Sequence, residues 1–351
     1  MLACKYPSKN DILAIVFGLI YTVSSAGETL AVKSLNYAPV PLELPSYTAL
    51  LTNQLWIFMI PIYWTFKEKK SMYPYIGQYI SIGILTFVVS ILRNISVNTL
   101  PGSVFSLLVS TSLVFNMILS GLFLKKKFNQ WHVCAAGCCI CSASVLVAIA
   151  FLTDQGVSMS GTNVSLGVPT AIGAAFFGAV MGVAQESIQP SWDNYNLRIV
   201  EITLVSGLIT SVLVAIFAGV TNEVYRWPTE LTAATQSSYG LILVSCISVS
   251  LPIIKLLARN SKYSTINVSS AFFFEFVQAA STLVGALGSI LVFGEPWTPG
   301  YALSIALMIS AFGFYIQAKR VVTMPPPPNS PPPTAFERGI VNPIVVVSSW
   351  K

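Results

Sequence analysis

Ten long apolar segments follow one another along the sequence, and they constrain the fold more than any other feature. Each has about 20 residues, the length that an α-helix needs to cross the roughly 30 Å hydrocarbon core of a bilayer. Because 54% of the 351 residues are hydrophobic and only 9% are charged, we expect neither a soluble enzyme nor a nucleic-acid-binding protein. The segments lie at residues 12–32, 46–66, 75–96, 102–124, 131–152, 165–186, 199–220, 238–258, 267–293 and 299–318. The sequence therefore predicts an all-α integral membrane protein with ten transmembrane helices in contact with lipid.

The distribution of positive charge predicts the orientation of these helices. If both termini are cytosolic, sixteen of the nineteen Lys and Arg residues fall on the cytosolic side. The other side receives Lys33 and Arg226, while Arg93 lies near the end of the third segment. Lysine and arginine near helix ends resist translocation, so this bias favours an even number of spans with cytosolic termini. The cytosolic group includes Arg198, Lys255, Arg259 and Lys262.

Short motifs recur in the same order in the two halves of the sequence. Glu28 and Glu186 each end an apolar segment and are 158 positions apart, while Arg93 and Arg259 are 166 positions apart. A third matching pair, at the exits of the fourth and ninth segments, is separated by 169 positions. Because each half would contain five helices, the second half must enter the membrane from the opposite side. We therefore expect two inverted five-helix repeats, with a solute site between them near the midplane.

The same features divide the chain into five parts. A cytosolic N-terminus precedes the first repeat, a non-cytosolic loop joins the two repeats, and a disordered cytosolic tail follows the second. The tail is rich in proline, with seven prolines among the nine residues 325–333, which favours an extended chain without a core. In order, the predicted parts are residues 1–10, 11–152, 153–164, 165–320 and 321–351.

Several motifs resemble those of a known family. The run 110–116 (STSLVFN) leads into Phe123-Leu124-Lys125, and Phe293-Gly294-Glu295-Pro296 precedes a last helix that contains Gly300. Together with ten spans and a five-plus-five duplication, this pattern resembles the EamA-like carriers of the drug/metabolite transporter superfamily. Residues 53–61 are similar to the chloroquine-resistance-transporter-like branch, and residues 100–103 (LPGS) to plant purine permeases. The resemblance implies alternating access without ATP hydrolysis, for solutes ranging from nucleotide sugars to amines, peptides and purines.

Glu275 is the main candidate for a solute-binding or proton-binding group. It lies inside the ninth apolar segment, nine residues after Ile266, which places it about 13 Å along a helix. Gln278 follows three positions later and shares its helical face. A charge at this depth is costly, so Glu275 is expected to face the central cavity and to bind a cation or a proton. The alternative is a protonated carboxyl group that is hydrogen-bonded to a neighbouring helix.

The motif pairs supply further candidates for gating or coupling. Glu28 and Glu186 would lie near opposite mouths of the pathway, as matched gates or as ordinary interfacial charges. Lys255 precedes Arg259 by four residues, so the two could form an anion clamp on one helical face. Arg93 is the counterpart of Arg259 in the first half. The alternative for these cations is that they only mark the cytosolic end of a helix.

Polar residues inside the apolar segments need partners in lipid, so they either line the pathway or hold helices together. Substrate binding is predicted for Glu275 and Gln278 together with Asn53, Gln54, Ser110, Asn116 and Gln185.

Nothing in the sequence indicates enzymatic chemistry. His132 is the single histidine, and no Gly-x-x-x-x-Gly-Lys phosphate loop is present. Four cysteines between residues 134 and 141 are expected to pack as small apolar side chains. We therefore expect no metal and no cofactor.

Together these patterns predict a secondary active transporter that moves a small organic solute by alternating access. The solute would be a cationic or neutral metabolite, a drug-like amine, a purine or a peptide, with proton coupling through Glu275. One alternative is an antiporter of nucleotide sugars or organophosphates that uses Lys255 and Arg259. The other is a structural or receptor-like membrane protein that transports nothing. The sequence leaves open the membrane of residence and the oligomeric state.

Overall fold

A computed structural model describes most of the chain, and every regular element in the described residues is a helix. The described residues are 9–36, 44–54, 56–66, 72–154, 163–189, 195–268, 271–294, 297 and 299–323. The predicted segment 1–8, most of the loop 153–164 and the proline-rich tail beyond residue 323 lie outside them. The helices are α1 (Lys9–Asn36), α2 (Pro45–Asn53), α3 (Trp56–Thr65), a 3-10 turn (Tyr73–Tyr75), α4 (Ile76–Thr99), α5 (Gly102–Val109), α6 (Ser112–Phe123), α7 (Gln130–Asp154), α8 (Val164–Ile188), α9 (Tyr195–Val220), α10 (Glu223–Thr235), α11 (Ser238–Val268), α12 (Ala271–Phe293) and α13 (Pro299–Thr323).

Eight helical segments in the described residues are long and apolar enough to cross a membrane. They are α1, the 3-10 turn with α4, α5 with α6, α8, α9, α11, α12 and α13. The two remaining predicted segments are also helical, since residues 46–66 form α2 and α3 and residues 131–152 form α7. The multi-helix membrane architecture is thus confirmed, while the count of ten spans stays a prediction.

The predicted fourth segment is interrupted in the middle, between α5 and α6. The Ser110 hydroxyl donates to the Leu107 carbonyl at 2.5 Å, and the Thr111 hydroxyl donates to the Leu108 carbonyl at 2.8 Å. Serine and threonine hydroxyls that bond back to the preceding turn compete with the helical ladder and bend it. The chain therefore passes from one helix to the next without leaving these two carbonyls unsatisfied.

The eighth segment extends well beyond its predicted end at residue 258. Helix α11 continues to Val268, and its apolar candidate span covers Ser238–Asn267. Lys255, Arg259 and Lys262 therefore lie within a candidate span, and the prediction that they mark a cytosolic helix end is wrong. Hydropathy falls at these charges, but their placement on the inner side of the bundle lets the helix continue through them. Arg198 is likewise buried within α9.

The helix contacts follow a regular scheme. Helix α1 packs against α11 and α12, while α8 packs against α4, α5 and α6. Helix α7 packs mainly on α13. Helices α4 and α9 approach closely at Gly83, where a Cβ atom would lie 2.9 Å from Ile209 Cβ and 3.2 Å from Ser206 Cα. Any larger residue at position 83 would push α4 away from α9.

Candidate functional site

A cavity of about 130 Å³ lies between the helices, with side chains from α1, α2, α4, α5, α8, α11 and α12 in its wall. Seven of the twelve residues singled out in the sequence line it, namely Glu28, Asn53, Arg93, Gln185, Lys255, Arg259 and Gln278. They come from six helices that are far apart in the sequence. The cavity wall is therefore built by the packing of the whole bundle rather than by one local motif.

Glu28 ties three helices together at this cavity. Its carboxylate is 4% exposed and forms an ion pair with Lys255 of α11, with 2.7 Å between Oε1 and Nζ. The second oxygen lies 3.6 Å from Nη1 of Arg93 on α4, and Arg93 also donates to Thr29 at 2.9 Å. The expectation that Glu28 lies near a mouth of the pathway is therefore wrong, because α11 carries its positive charges inward to meet it.

Two further cations line the same cavity without an acidic partner in the described part of the chain. Arg259 donates to the hydroxyl of Ser206 at 2.8 Å, and Lys262 Nζ lies 5.1 Å from the ring centre of Phe274. The cavity wall thus contains four cations, Arg93 among them, and one carboxylate. Neutral hydroxyl and aromatic contacts orient these two side chains but do not neutralise them.

Glu275 lies behind the cavity wall, which corrects the expectation that it faces the cavity directly. Its carboxylate is 2% exposed and accepts hydrogen bonds from Ser112 at 2.6 Å and from Asn116 at 3.4 Å, both on α6. Because α12 packs against α6, these donors hold the carboxylate between the two helices. This arrangement matches the alternative of a carboxyl group bonded to a neighbouring helix.

A chain of hydrogen bonds connects Glu275 to the cavity. Tyr21 donates to Oε1 of Gln278 at 3.3 Å, and Nε2 of Gln278 donates to Ser112 at 3.1 Å. Since Ser112 in turn donates to Glu275, every donor in this chain points towards the carboxylate. Tyr21 and Gln278 both line the cavity. A change in the charge of Glu275 would therefore reach the cavity through two intermediate side chains.

Three other predicted site residues lie elsewhere. Gln54 is exposed at the end of α2, and Ser110 is buried against Met308 of α13, 3.4 Å from its sulfur. Glu186 pairs with Lys126, which follows α6. None of the three lines the cavity. Polarity within an apolar segment identified them, but it does not distinguish a residue that faces solute from one that faces lipid or another helix.

Two polar atoms at the cavity have no hydrogen-bond partner among the described residues. They are Oε1 of Gln185, on a side chain 2% exposed, and the hydroxyl of Ser106. Buried polar atoms are normally paired, so these two are free to bond a solute or a water molecule. The sequence analysis missed Ser106, which carries no signal beyond its place in an apolar segment. It also missed Lys262, although its spacing from Lys255 and Arg259 continues one helical face.

Comparison with known proteins gives the family. The model of a family described by purine nucleobase transmembrane transport matches residues 12–321. One solved crystal structure is similar in fold, with a TM-score of 0.56 at 14% identity, over 88% of this chain and 98% of that one. No curated protein matches. Of the branches that the sequence resembles, the purine-permease kind is the one supported. The chain moves small organic solutes across a membrane, and it belongs to the family of purine nucleobase transmembrane transport.

Proposed function

We propose that this protein carries purine nucleobases through the cavity between its helices by alternating access, and that Glu275 couples the movement to protons. The single observation that carries the proposal is the cavity itself, which holds unpartnered hydrogen-bonding atoms of Gln185 and Ser106. Nucleobases present ring nitrogens and exocyclic groups that donate and accept in one plane. The amides of Asn53, Gln185 and Gln278 are suited to bond such edges.

The volume of the cavity favours a small planar solute. An apolar cavity of about 150 Å³ holds one benzene ring in a well-studied case, and this cavity measures about 130 Å³. A nucleobase therefore requires a modest opening of the helices, whereas a nucleotide sugar or an organophosphate ester requires far more space. The volume argues against the antiporter alternative despite the cations Lys255 and Arg259.

The helix contacts support two inverted halves that move against each other. If spans one to five correspond to spans six to ten, α1 is equivalent to α8, α4 to α11, and the α5–α6 pair to α12. The packing of α1 on α11 and α12 then has its counterpart in the packing of α8 on α4, α5 and α6. Inverted repeats of this kind provide two arrangements of similar energy, one open to each side.

The hydrogen bonds around Glu275 support proton coupling. An ionised carboxylate in a membrane interior needs several donors, and Ser112 and Asn116 supply two neutral ones. When a proton binds, the negative charge disappears and the chain through Gln278 to Tyr21 loses its acceptor at one end. Protonation would thus rearrange the wall of the cavity and bias the two halves towards one arrangement.

The test is uptake of labelled adenine into proteoliposomes that contain the purified protein, with Gln185→Leu as the key variant. We expect at least about tenfold weaker uptake, because the solute loses a buried hydrogen-bond partner. Stability should be unchanged or slightly higher, since the variant removes an unsatisfied polar atom. Gln236→Leu, at an exposed site outside the cavity, is the matched control and should transport normally. Absence of uptake by the unmodified protein, or normal uptake by Gln185→Leu, would contradict the proposal.

A further inference from the structure

The cavity carries more positive charge than a neutral nucleobase needs. Arg93, Lys255, Arg259 and Lys262 line it, and Glu28 is the single carboxylate in its wall among the described residues. Glu28 is fully used by Lys255 and Arg93, which lie 2.7 and 3.6 Å from its two oxygens. The wall therefore keeps an excess of positive charge after every ion pair is counted, located on Arg259 and Lys262.

The two surplus cations lie on one face of α11, three residues apart, and both line the cavity. The Arg259 guanidinium cannot lose its proton in a protein, so its charge persists whatever surrounds it. Its hydrogen bond to the Ser206 hydroxyl leaves further N–H groups available. Lys262 contacts the face of Phe274, which holds the ammonium group without supplying a negative charge. An unpaired cation in a membrane interior is costly and marks a site for an anion.

We propose that Arg259 and Lys262 form an anion subsite, and that the preferred solutes are acidic oxopurines bound as monoanions. This inference rests on the proposed transport of purine nucleobases and specifies their class. Purines with several oxo groups lose a ring N–H proton near neutral pH and spread the negative charge over ring nitrogens and oxygens. A guanidinium group matches such an edge with two parallel N–H donors. The ammonium group of Lys262 adds a point charge beside it.

The experiment compares affinities of the full-length protein, purified in detergent, for urate, xanthine, adenine and inorganic phosphate by titration calorimetry. We expect urate and xanthine to bind more tightly than adenine, with affinity rising as the pH rises through their ionisation. Arg259→Gln and Lys262→Gln should each weaken urate binding by about tenfold or more while changing adenine binding by less. Arg226→Gln removes a cation that is largely exposed on α10, and it should leave all affinities unchanged.

Each outcome decides between the two proposals. If adenine binds and the acidic purines bind no better, the anion subsite is wrong but the proposed nucleobase transport stands. If none of the purines binds, both proposals fail. If phosphate binds as tightly as urate, the subsite recognises anions in general and the oxopurine assignment is wrong. Since Arg259 also contacts Ser206, a Ser206→Ala variant that lost urate binding as fully as Arg259→Gln would indicate a packing effect and overturn the assignment.

Discussion

Glu28 and Glu275 are two buried carboxylates in one bundle, but their surroundings are of opposite kinds. Glu28 faces the cavity and is held by two cations, whereas Glu275 lies behind the wall and is held by a hydroxyl and an amide. Opposite charges fix Glu28 in its ionised form. Neutral donors stabilise ionised Glu275 less, so a proton can replace part of their contribution. The difference indicates a permanent charged tie between helices at Glu28 and an exchangeable charge at Glu275.

Glu28→Gln should show the largest effect. The variant leaves Lys255 and Arg93 without their carboxylate inside the bundle, and breaking a buried ion pair in this way costs about 3–5 kcal/mol. We expect a loss of this size in the free energy of unfolding in detergent, together with loss of uptake. Glu230→Gln is the matched control, because Glu230 pairs with the largely exposed Arg226 and should change stability by at most about 1 kcal/mol.

A double variant sharpens this result. Glu28→Gln with Lys255→Met removes both members of the shorter ion pair, so much of the lost stability should return. If Glu28→Gln alone were as mild as Glu230→Gln, the three-helix tie would not contribute to stability. The contrast between the two carboxylates would then fail.

Ser112→Ala should show an intermediate effect. The Ser112 hydroxyl accepts from Gln278 and donates to Glu275, so its removal leaves two buried side chains with one partner fewer. The expected loss is about 1–3 kcal/mol in the free energy of unfolding. The pH dependence of uptake should weaken as well, because the link from Glu275 to the cavity is cut. Ser310→Ala, which removes an exposed hydroxyl bonded within its own helix, should change neither quantity.

Glu275→Gln should affect stability least. A glutamine side chain has nearly the shape of a protonated glutamate, so we expect at most about 1 kcal/mol of change in the free energy of unfolding. Uptake should lose its dependence on pH, because position 275 no longer exchanges a proton. Uptake of the labelled solute from low and high pH measures this directly. A pH profile that is unchanged in the variant would assign proton coupling to another group.

Much of the fold could be predicted from the sequence because apolar length fixes where helices lie. The predicted segment 165–186 lies within α8 (Val164–Ile188), and the segment 267–293 ends at the same residue as α12. The prediction was wrong where a helix carries charge on its inner face, as α11 does beyond residue 258. Hydropathy averages over all faces of a helix, so it cannot separate a charged stripe that faces a cavity from a helix end.

The site could be predicted in part for a related reason. Lone polar residues such as Asn53 and Gln185 stand out in apolar segments, and both line the cavity. The depth of Glu275 along its helix followed from counting residues, but its rotation behind the wall depends on α6, which is more than 150 positions away in the sequence. Ion pairs across helices, such as Glu28 with Lys255, depend equally on packing that no local pattern encodes.

The interruption between α5 and α6 determines how displacement passes through the bundle. Helix α5 is anchored, since residues 102–108 are all buried, while α6 carries the two side chains that hold Glu275. The hydroxyls of Ser110 and Thr111 already satisfy the carbonyls at the junction, so bending there breaks few hydrogen bonds. The fourth segment therefore acts as two stiff levers on a compliant pivot, and a shift of the carboxylate can swing α6 while α5 stays in place.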